Sequence, residues 1–508
     1  MSAVRRATGR SVPRAVAGLG AAIVALSVVA AALLGGVTAE SPLVAFALLV
    51  AVPVSVLIAI RPETATLVVT FLIYTNAAVV AVIFHGVPAI AAVALPGVLV
   101  IPLAYAVLVH RQPIVITPAL GWIVGLLLIQ IVGVLFARDT NDALAELSSF
   151  VVEGLGLYVL LTNVIRTTTD LRRVIWVLLL AALLIGGLSL FQELTKTYRN
   201  DYAGFAQTDS AFATVDQTLA GADRIPRQAG PIGEKNRYAQ VMLMLVPLGL
   251  FQARAERRRS LKALALLAAA LALVAVVLTF SRGAFVGFGL VVAAMVALRY
   301  VRVSQLAFVA VAIGALLIVV PQFGERLSTL EALGGLFTQD QGLSAADTSV
   351  QSRAAENLTA IAVFADHPII GVGPGQFSSY YREYAVGVGG VIRAQDREAH
   401  NLYLGIAADA GVLGLICLLA ILGVTLFDLR RARRRWLSVR PDLADIATGL
   451  SLAVLTYMTT GLFLHLSYAR YFWLVLAIAG AGAMILRRLP DPDPDPDPDP
   501  QDGYSQSV

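Results

Sequence analysis

Arg393-Ala-Gln-Asp-Arg-Glu-Ala-His-Asn401 runs without a break into the apolar segment that opens at Leu402, and it closes a polar excursion that begins near Gln322. In the middle of that excursion stands Gly371-Val-Gly-Pro-Gly-Gln-Phe377, and the sequence on either side of the whole excursion is largely apolar. A long polar stretch between apolar runs reads as a connection between membrane helices, and connections on a rigid scaffold are where functional side chains gather. The fold turns on whether the flanking runs span a membrane.

Their composition says that they do. Of 508 residues, 58% are hydrophobic and 14% charged, with a mean hydropathy of +0.79, values incompatible with a soluble domain that needs a polar surface. Runs of spanning length are predicted at 16–36, 43–60, 65–84, 89–109, 117–137, 143–165, 171–191, 236–253, 261–280, 283–299, 305–321, 400–427, 444–466 and 469–486. At ~20 residues per ~30 Å of hydrocarbon, this is an all-α polytopic integral membrane protein of about 12–14 transmembrane helices. The least apolar runs are 143–165, which carries Glu146 and Glu153, and 236–253, which opens in polar sequence. Arg5, Arg6, Arg10 and Arg14 precede a first run long enough to be retained as a helix rather than cleaved as a signal peptide. Cys417, the single cysteine, excludes both a disulfide framework and a cysteine metal site.

Charge sets the orientation. With the N-terminus in the cytoplasm, 24 of the 38 Lys and Arg fall in the N-tail and the connections on that side, whereas the short outer connections hold only Arg138, Arg282 and Arg470. The net charge of +5 therefore reflects topology rather than a nucleic-acid partner. The chain divides into a basic cytoplasmic N-tail (1–15), one transmembrane domain (16–488) with extracytoplasmic loops at 192–235 and 322–399, and an Asp-Pro-rich cytoplasmic tail (489–508). Proline favours extended backbone and the aspartates repel, so the tail is a solvated spacer. No inverted repeat of paired broken helices, the mark of many transporters, is evident.

Three outward clusters remain: Arg227-Gln-Ala-Gly-Pro-Ile-Gly-Glu-Lys-Asn-Arg237, the turn Ser281-Arg282-Gly283, and the long loop ending in His400-Asn401. Each has a plain alternative. Arg282 reads equally as a snorkelling interfacial arginine, Arg227 and Arg237 as loop-solvating charges, and His400 as part of a helix cap. Gly371-Val-Gly-Pro-Gly375 forms a turn, and with no Lys-Ser or Lys-Thr after it is no nucleotide-binding P-loop. His85, His110 and His367 lack metal-ligand spacing, His465 reads as interfacial, and Asp366, Glu383, Asp396 and Glu398 read as surface.

Taken together, Ser281-Arg282-Gly283, Gly371–Phe377, His400-Asn401-Leu-Tyr-Leu404 and Gly411-Val-Leu-Gly414 resemble, in order and spacing, the O-antigen ligase and polymerase superfamily of bacterial envelope proteins. The resemblance spans roughly 227–414. It implies a GT-C-like membrane glycosyltransferase that moves a polyprenyl-diphosphate-linked glycan onto an acceptor saccharide at the outer face of the cytoplasmic membrane. It also implies no nucleotide sugar, no cofactor and no required metal.

The residues suit that chemistry on their own terms. Guanidinium groups bind phosphate in bidentate pairs, about 1.5–3 kcal/mol per charge-assisted bond, which nominates Arg282 and Arg227, helped by Arg237, for the donor diphosphate. The negative charge that grows on the leaving diphosphate makes the same arginines stabilise the transition state. His400 is the candidate general base toward the acceptor hydroxyl, in a single displacement with inversion. Asn401, Tyr380, Tyr381, Tyr384 and Tyr403 are candidates for acceptor or glycan contact, and Gly371, Gly373 and Gly375 for the structural loop. The expected partners are the lipid-linked donor, the acceptor glycan and membrane lipid. A flippase of lipid-linked oligosaccharides is the alternative from another class, and a protein O-oligosaccharyltransferase the alternative within this one.

Overall fold

The computed structural model describes residues 51, 53–209, 226–302, 348–387, 397–466 and 469–490, with side chains in the fourth stretch described from Ser352 onward. It is helical nearly throughout. The helices are α1 (Thr64–Tyr74), α2 (Ala77–His85), α3 (Ala89–Val109), α4 (Pro118–Val134), α5 (Thr140–Val164) and α6 (Thr168–Thr195). A two-stranded antiparallel ribbon of β1 (Gln207–Asp209) and β2 (Arg227–Gly230) follows. The chain continues with α7 (Lys235–Ala255), α8 (Arg259–Leu278), α9 (Arg282–Ala297), α10 (Thr348–Asp366), α11 (Phe377–Gly387), α12 (Leu402–Trp436), α13 (Pro441–Thr460) and α14 (Ala469–Arg488).

Among the described residues seven helices are long and apolar enough to cross a membrane, or eight if α1 and α2, bent by 57° at their junction, form one span. The protein is a multi-pass membrane protein. The expected spans within the described residues are largely helical, including the two least apolar, but 65–84 is two helices, 444–466 is helical only to Thr460, and the helices at 117–137, 236–253 and 283–299 are not among those seven or eight. The spans expected at 16–36 and 305–321, half of that at 43–60, and the Asp-Pro tail beyond Pro490 lie outside the described residues. The α1–α2 break has a local cause: Asn76 takes a left-handed backbone (φ 56°) and its Nδ2 donates to Pro231 O at 2.8 Å, tying the break to the chain just after β2.

The centre of the bundle is α7, buried almost all round between α8 and α13. Its composition is poor for a span because its polar side chains meet protein rather than lipid. Gln240 donates to Thr460 Oγ1 at 2.9 Å and Gln252 to Glu256 Oε1 at 2.7 Å. Close approach needs small residues, and Gly249 lies where a Cβ would fall 2.9 Å from both Ala265 O and Ala269 Cβ of α8.

The bundle has two chemically distinct ends. At one, Arg172 pairs with Asp442 (2.7 Å), Arg254 with Asp445 (3.3 Å), and Arg435 donates to Arg487 O (2.6 Å). Arg254 and Arg433 also lie over the Tyr300 ring, 5.0 and 5.3 Å from its centroid. These are the basic connections that the charge pattern assigns to one side. The other ends of α7 and α13, ~30 Å away at ~1.5 Å per residue, carry Lys235 to Arg237 and Thr460 to His465.

The stretch read from sequence as a loop at 322–399 is in part structured. α10 and α11 pack on each other around Ala360, Val363, Val372, Phe377, Tyr381 and Ala385, a small core separate from that of the bundle. In α10, Glu356, Thr359, Ala360 and Val363 recur at helical spacing and are all buried.

Candidate functional site

The glycine motif interlocks with a break in α12. Gly371, Gly373 and Gly375 all have positive φ (68°, 108° and 68°), and Gly411, inside α12, has φ 66° and ψ −167°. At that break the loop docks by main-chain bonds: Val372 N donates to Ala408 O (3.0 Å), Gly373 N to Asp409 O (2.9 Å) and Val412 N to Pro368 O (2.8 Å). A Cβ on Gly371 would overlap Ala408 O and Asp409 C, and one on Gly411 would overlap Ile369 O. Asp409 then accepts from Gly375 N (3.3 Å) and Phe377 N (2.9 Å), capping α11. Gln376 fastens the loop to the α4–α5 junction, accepting from Asp139 N (2.8 Å) and donating to Asp139 O (3.1 Å). The two glycine motifs are therefore one structural device.

Gly371→Ala should separate the loop from α12. A left-handed alanine costs about 1–2 kcal/mol and the overlap about 1–3 kcal/mol more. The thermal midpoint in detergent and the yield of folded protein should both fall. Gly121→Ala, at a helical glycine with nothing within 4 Å of its Cβ position, should change neither.

The Ser281-Arg282-Gly283 turn is built from below by Arg227. Arg227 is 3% exposed; its Nε donates to Thr279 O (2.9 Å) and its Nη2 to Phe280 O (2.8 Å). Those carbonyls end α8, and Phe280 has φ 52°, a left-handed conformation that a bulky residue adopts only when its surroundings enforce it. Ser281 caps α9, its Oγ accepting from Ala284 N at 3.4 Å, and Arg282 is the first residue of α9, partly exposed. Gly283 packs against Phe463, whose Cβ is 3.0 Å from the glycine's Cβ position, which sets the turn against the 461–466 connection.

That connection leads to the other two clusters. Arg237, 2% exposed, donates through Nη1 to His465 O at 2.6 Å and to Gln240 Oε1 at 3.2 Å. The His465 and His400 rings meet edge to face, their centroids 5.6 Å apart. Burial, with Arg237 and His400 as neighbours, pushes His465 down to about 3, so its ring is neutral.

His400 does not cap α12. Asn401 does, its Oδ1 accepting from Tyr403 N (2.9 Å) and Leu404 N (3.2 Å). On its other side His400 meets a partner that the sequence reading passed over. Nδ1 lies 2.6 Å from Glu356 Oε2, with the histidine side chain 23% exposed and the glutamate 2%. The contact is short but not aligned as a hydrogen bond. Arg397 Nε stands 4.0 Å from the other carboxylate oxygen. Glu398, the nearest further carboxylate along the chain, is exposed; partial loss of its solvent and the nearby Glu146 raise it above the usual range, and His400 pulls the other way.

The four tyrosines have structural partners. Tyr380 and Tyr381 are buried in the α10–α11 core, Tyr384 Oη donates to Asp366 Oδ2 (2.8 Å) and Tyr403 Oη to Met458 O (2.9 Å). Arg138 covers the Tyr380 ring at 3.4 Å and pairs with Glu383 at 2.8 Å, binding the α10–α11 pair to the bundle. Among the described residues no three His, Cys, Asp or Glu side chains gather in a way that could hold a metal ion. Arg393 and Asp396 lie outside the described residues.

The structure thus joins Arg227, the Ser281–Gly283 turn, Arg237, His465, His400 and Glu356 through successive contacts at one end of the bundle. A comparison with curated proteins finds no match. Residues 267–419, from within α8 to within α12, match the family model described as O-antigen ligase. The match takes in the Ser281–Gly283 turn, Glu356, the interlocked glycine loop and His400, and leaves Arg227 and Arg237 before its start. Over residues 267–419, the chain is similar to the O-antigen ligase family.

Proposed function

We propose that this protein transfers a glycan from a polyprenyl diphosphate to an acceptor saccharide on the outer face of the bacterial cytoplasmic membrane, by inverting displacement without a metal ion. The observation that carries the proposal is His400, open on one side and backed by a buried carboxylate, at the same end of the bundle as the Arg282 turn. In the reaction the acceptor O–H gives its proton to His400 Nε2 and the oxygen forms the new bond to the anomeric carbon. The bond from that carbon to the phosphate oxygen breaks, and its electron pair leaves on the diphosphate. Arg282 is the direct contact to that leaving group. Arg227 and Arg237 spend hydrogen bonds on main-chain carbonyls, yet each keeps its positive charge, so they add to the field behind Arg282 and fix the surfaces around it. With Tyr380 and Tyr381 buried, Asn401 and Tyr403 beside His400 are the glycan contacts retained in this proposal.

Two measurements test it. Glu383→Cys, at an exposed side chain, should react with an impermeant maleimide in intact cells, and Arg258→Cys only after permeabilisation, Cys417 being buried. The reverse pattern removes the proposal, because a lipid-linked donor delivered outside never meets an inward-facing site. Purified protein in vesicles, given a lipid-diphosphate glycan and an acceptor glycan, should form a new glycosidic bond. Movement of donor between leaflets with no covalent product would identify a flippase instead, and transfer only onto polypeptide a protein O-oligosaccharyltransferase.

A further inference from the structure

We infer that Glu356 is a positioning residue for His400: it holds the imidazole as the Nδ1–H tautomer, presents a bare Nε2 to the acceptor hydroxyl, and compensates the imidazolium that forms when the proton arrives. The inference rests on the base role proposed for His400. Glu356 lies on α10, which packs along α12, and its carboxylate is sheltered while the imidazole it meets reaches the surface. Only Nδ1 faces the carboxylate, so a proton there leaves Nε2 as the acceptor nitrogen, the tautomer logic by which a second group fixes the reactive face of a histidine. The other charged and titratable groups at the pair are consistent with that assignment. Arg397 stands by the far oxygen of Glu356, Arg237 is turned toward His465 O, and His465 is neutral, which leaves Glu356 as the one carboxylate in contact with Nδ1 among the described residues. Glu398, two residues before His400, interacts electrostatically with Glu146 and Asp409 as well as with His400.

A buried carboxylate is retained at a cost unless it is paired. Here the pair it makes is with a side chain that opens to the surface, in a helix whose other buried positions, Ala355, Thr359, Ala360 and Val363, are neutral. Packing alone would be met as well by glutamine, which has the same shape and no charge, and the test uses that difference. Glu356→Gln should lower kcat on the order of 10²-fold or more while leaving the donor KM within about twofold, since it touches no phosphate-binding group. Glu356→Asp, which keeps the charge on a shorter arm, should recover part of the loss. A Glu356→Gln protein that transfers at the wild-type rate overturns the inference, as does an equal loss in the Asp and Gln variants.

A second readout does not depend on turnover. In 15N-histidine-labelled protein in nanodiscs, with His400 assigned by its absence in His400→Ala, the wild type should show the Nδ1–H tautomer. Glu356→Leu should shift His400 toward the Nε2–H form that free imidazole favours. An unchanged tautomer in Glu356→Leu overturns the inference. If the tautomer responds to Glu356 while the wild type forms no glycosidic bond with any acceptor, the pair stands and the transferase reading fails.

Discussion

His400→Ala is expected to lower glycan transfer by ~10²- to 10⁴-fold, the usual contribution of a positioned base, with insertion, folding and donor binding unchanged. The structure sharpens what the companion variants should do. Were His400 a helix cap, His400→Asn and His400→Ser would restore activity, because both residues cap at least as well as histidine. The cap already belongs to Asn401, whose Oδ1 takes the Tyr403 and Leu404 amides, so neither variant should recover transfer. Asn401→Ala should behave in the opposite way: about 0.5–2 kcal/mol of stability lost and a smaller loss of transfer per folded molecule. His465 is no substitute base. Burial beside Arg237 pushes it down to about 3, far from the operating pH at which a base works best, so loss of His400 is not compensated from its edge-to-face neighbour. Activity in His400→Asn close to the wild type would return the histidine to a structural role.

The architecture was legible in the sequence because the signals that carry it are long and additive. Twenty apolar residues in a row, repeated with basic residues on alternate connections, read out spans whatever their packing. The bent α1–α2 pair was not, since its cause is a hydrogen bond from Asn76 to Pro231, 155 residues later in the chain. The site was half legible. Arg282 and His400 stand out as polar residues at the edges of apolar runs, but their partners do not. Glu356 lies in a polar stretch where a carboxylate is ordinary. Its signal was the spacing of Glu356, Thr359, Ala360 and Val363, one face of a helix within what reads as loop. Asp409 had a plainer mark, a carboxylate inside the apolar run Leu402 to Leu422, where an ionisable residue always has a task; its task is to hold the amides of Gly375 and Phe377. Arg227 shows the opposite failure. The sequence offers an arginine on an outer loop, and only the fold reveals that its donors are turned inward onto Thr279 and Phe280.

In the proposed reaction Arg282 is the guanidinium that meets the donor diphosphate. Arg282→Ala is expected to reduce transfer by ~10²- to 10³-fold, as for removal of one preorganised donor to a developing oxyanion. Arg282→Lys keeps the charge and loses the planar fork. If one of two charge-assisted bonds disappears, at about 1.5–3 kcal/mol each, the lysine variant should lose about 10- to 10²-fold. An interfacial anchor would tolerate lysine, so wild-type transfer by Arg282→Lys would refute diphosphate binding here. Arg227 should reveal itself by coupling rather than by size. Its guanidinium holds the two carbonyls that precede Ser281 and keeps Phe280 in its left-handed conformation, so Arg227→Ala should let the Ser281–Gly283 turn relax and misplace Arg282. Two residues acting through one turn are not additive: once Arg282 is alanine, removing Arg227 should cost little further activity. A double variant whose loss equals the product of the two single losses would mean that Arg227 contacts the donor independently, as first expected from the sequence.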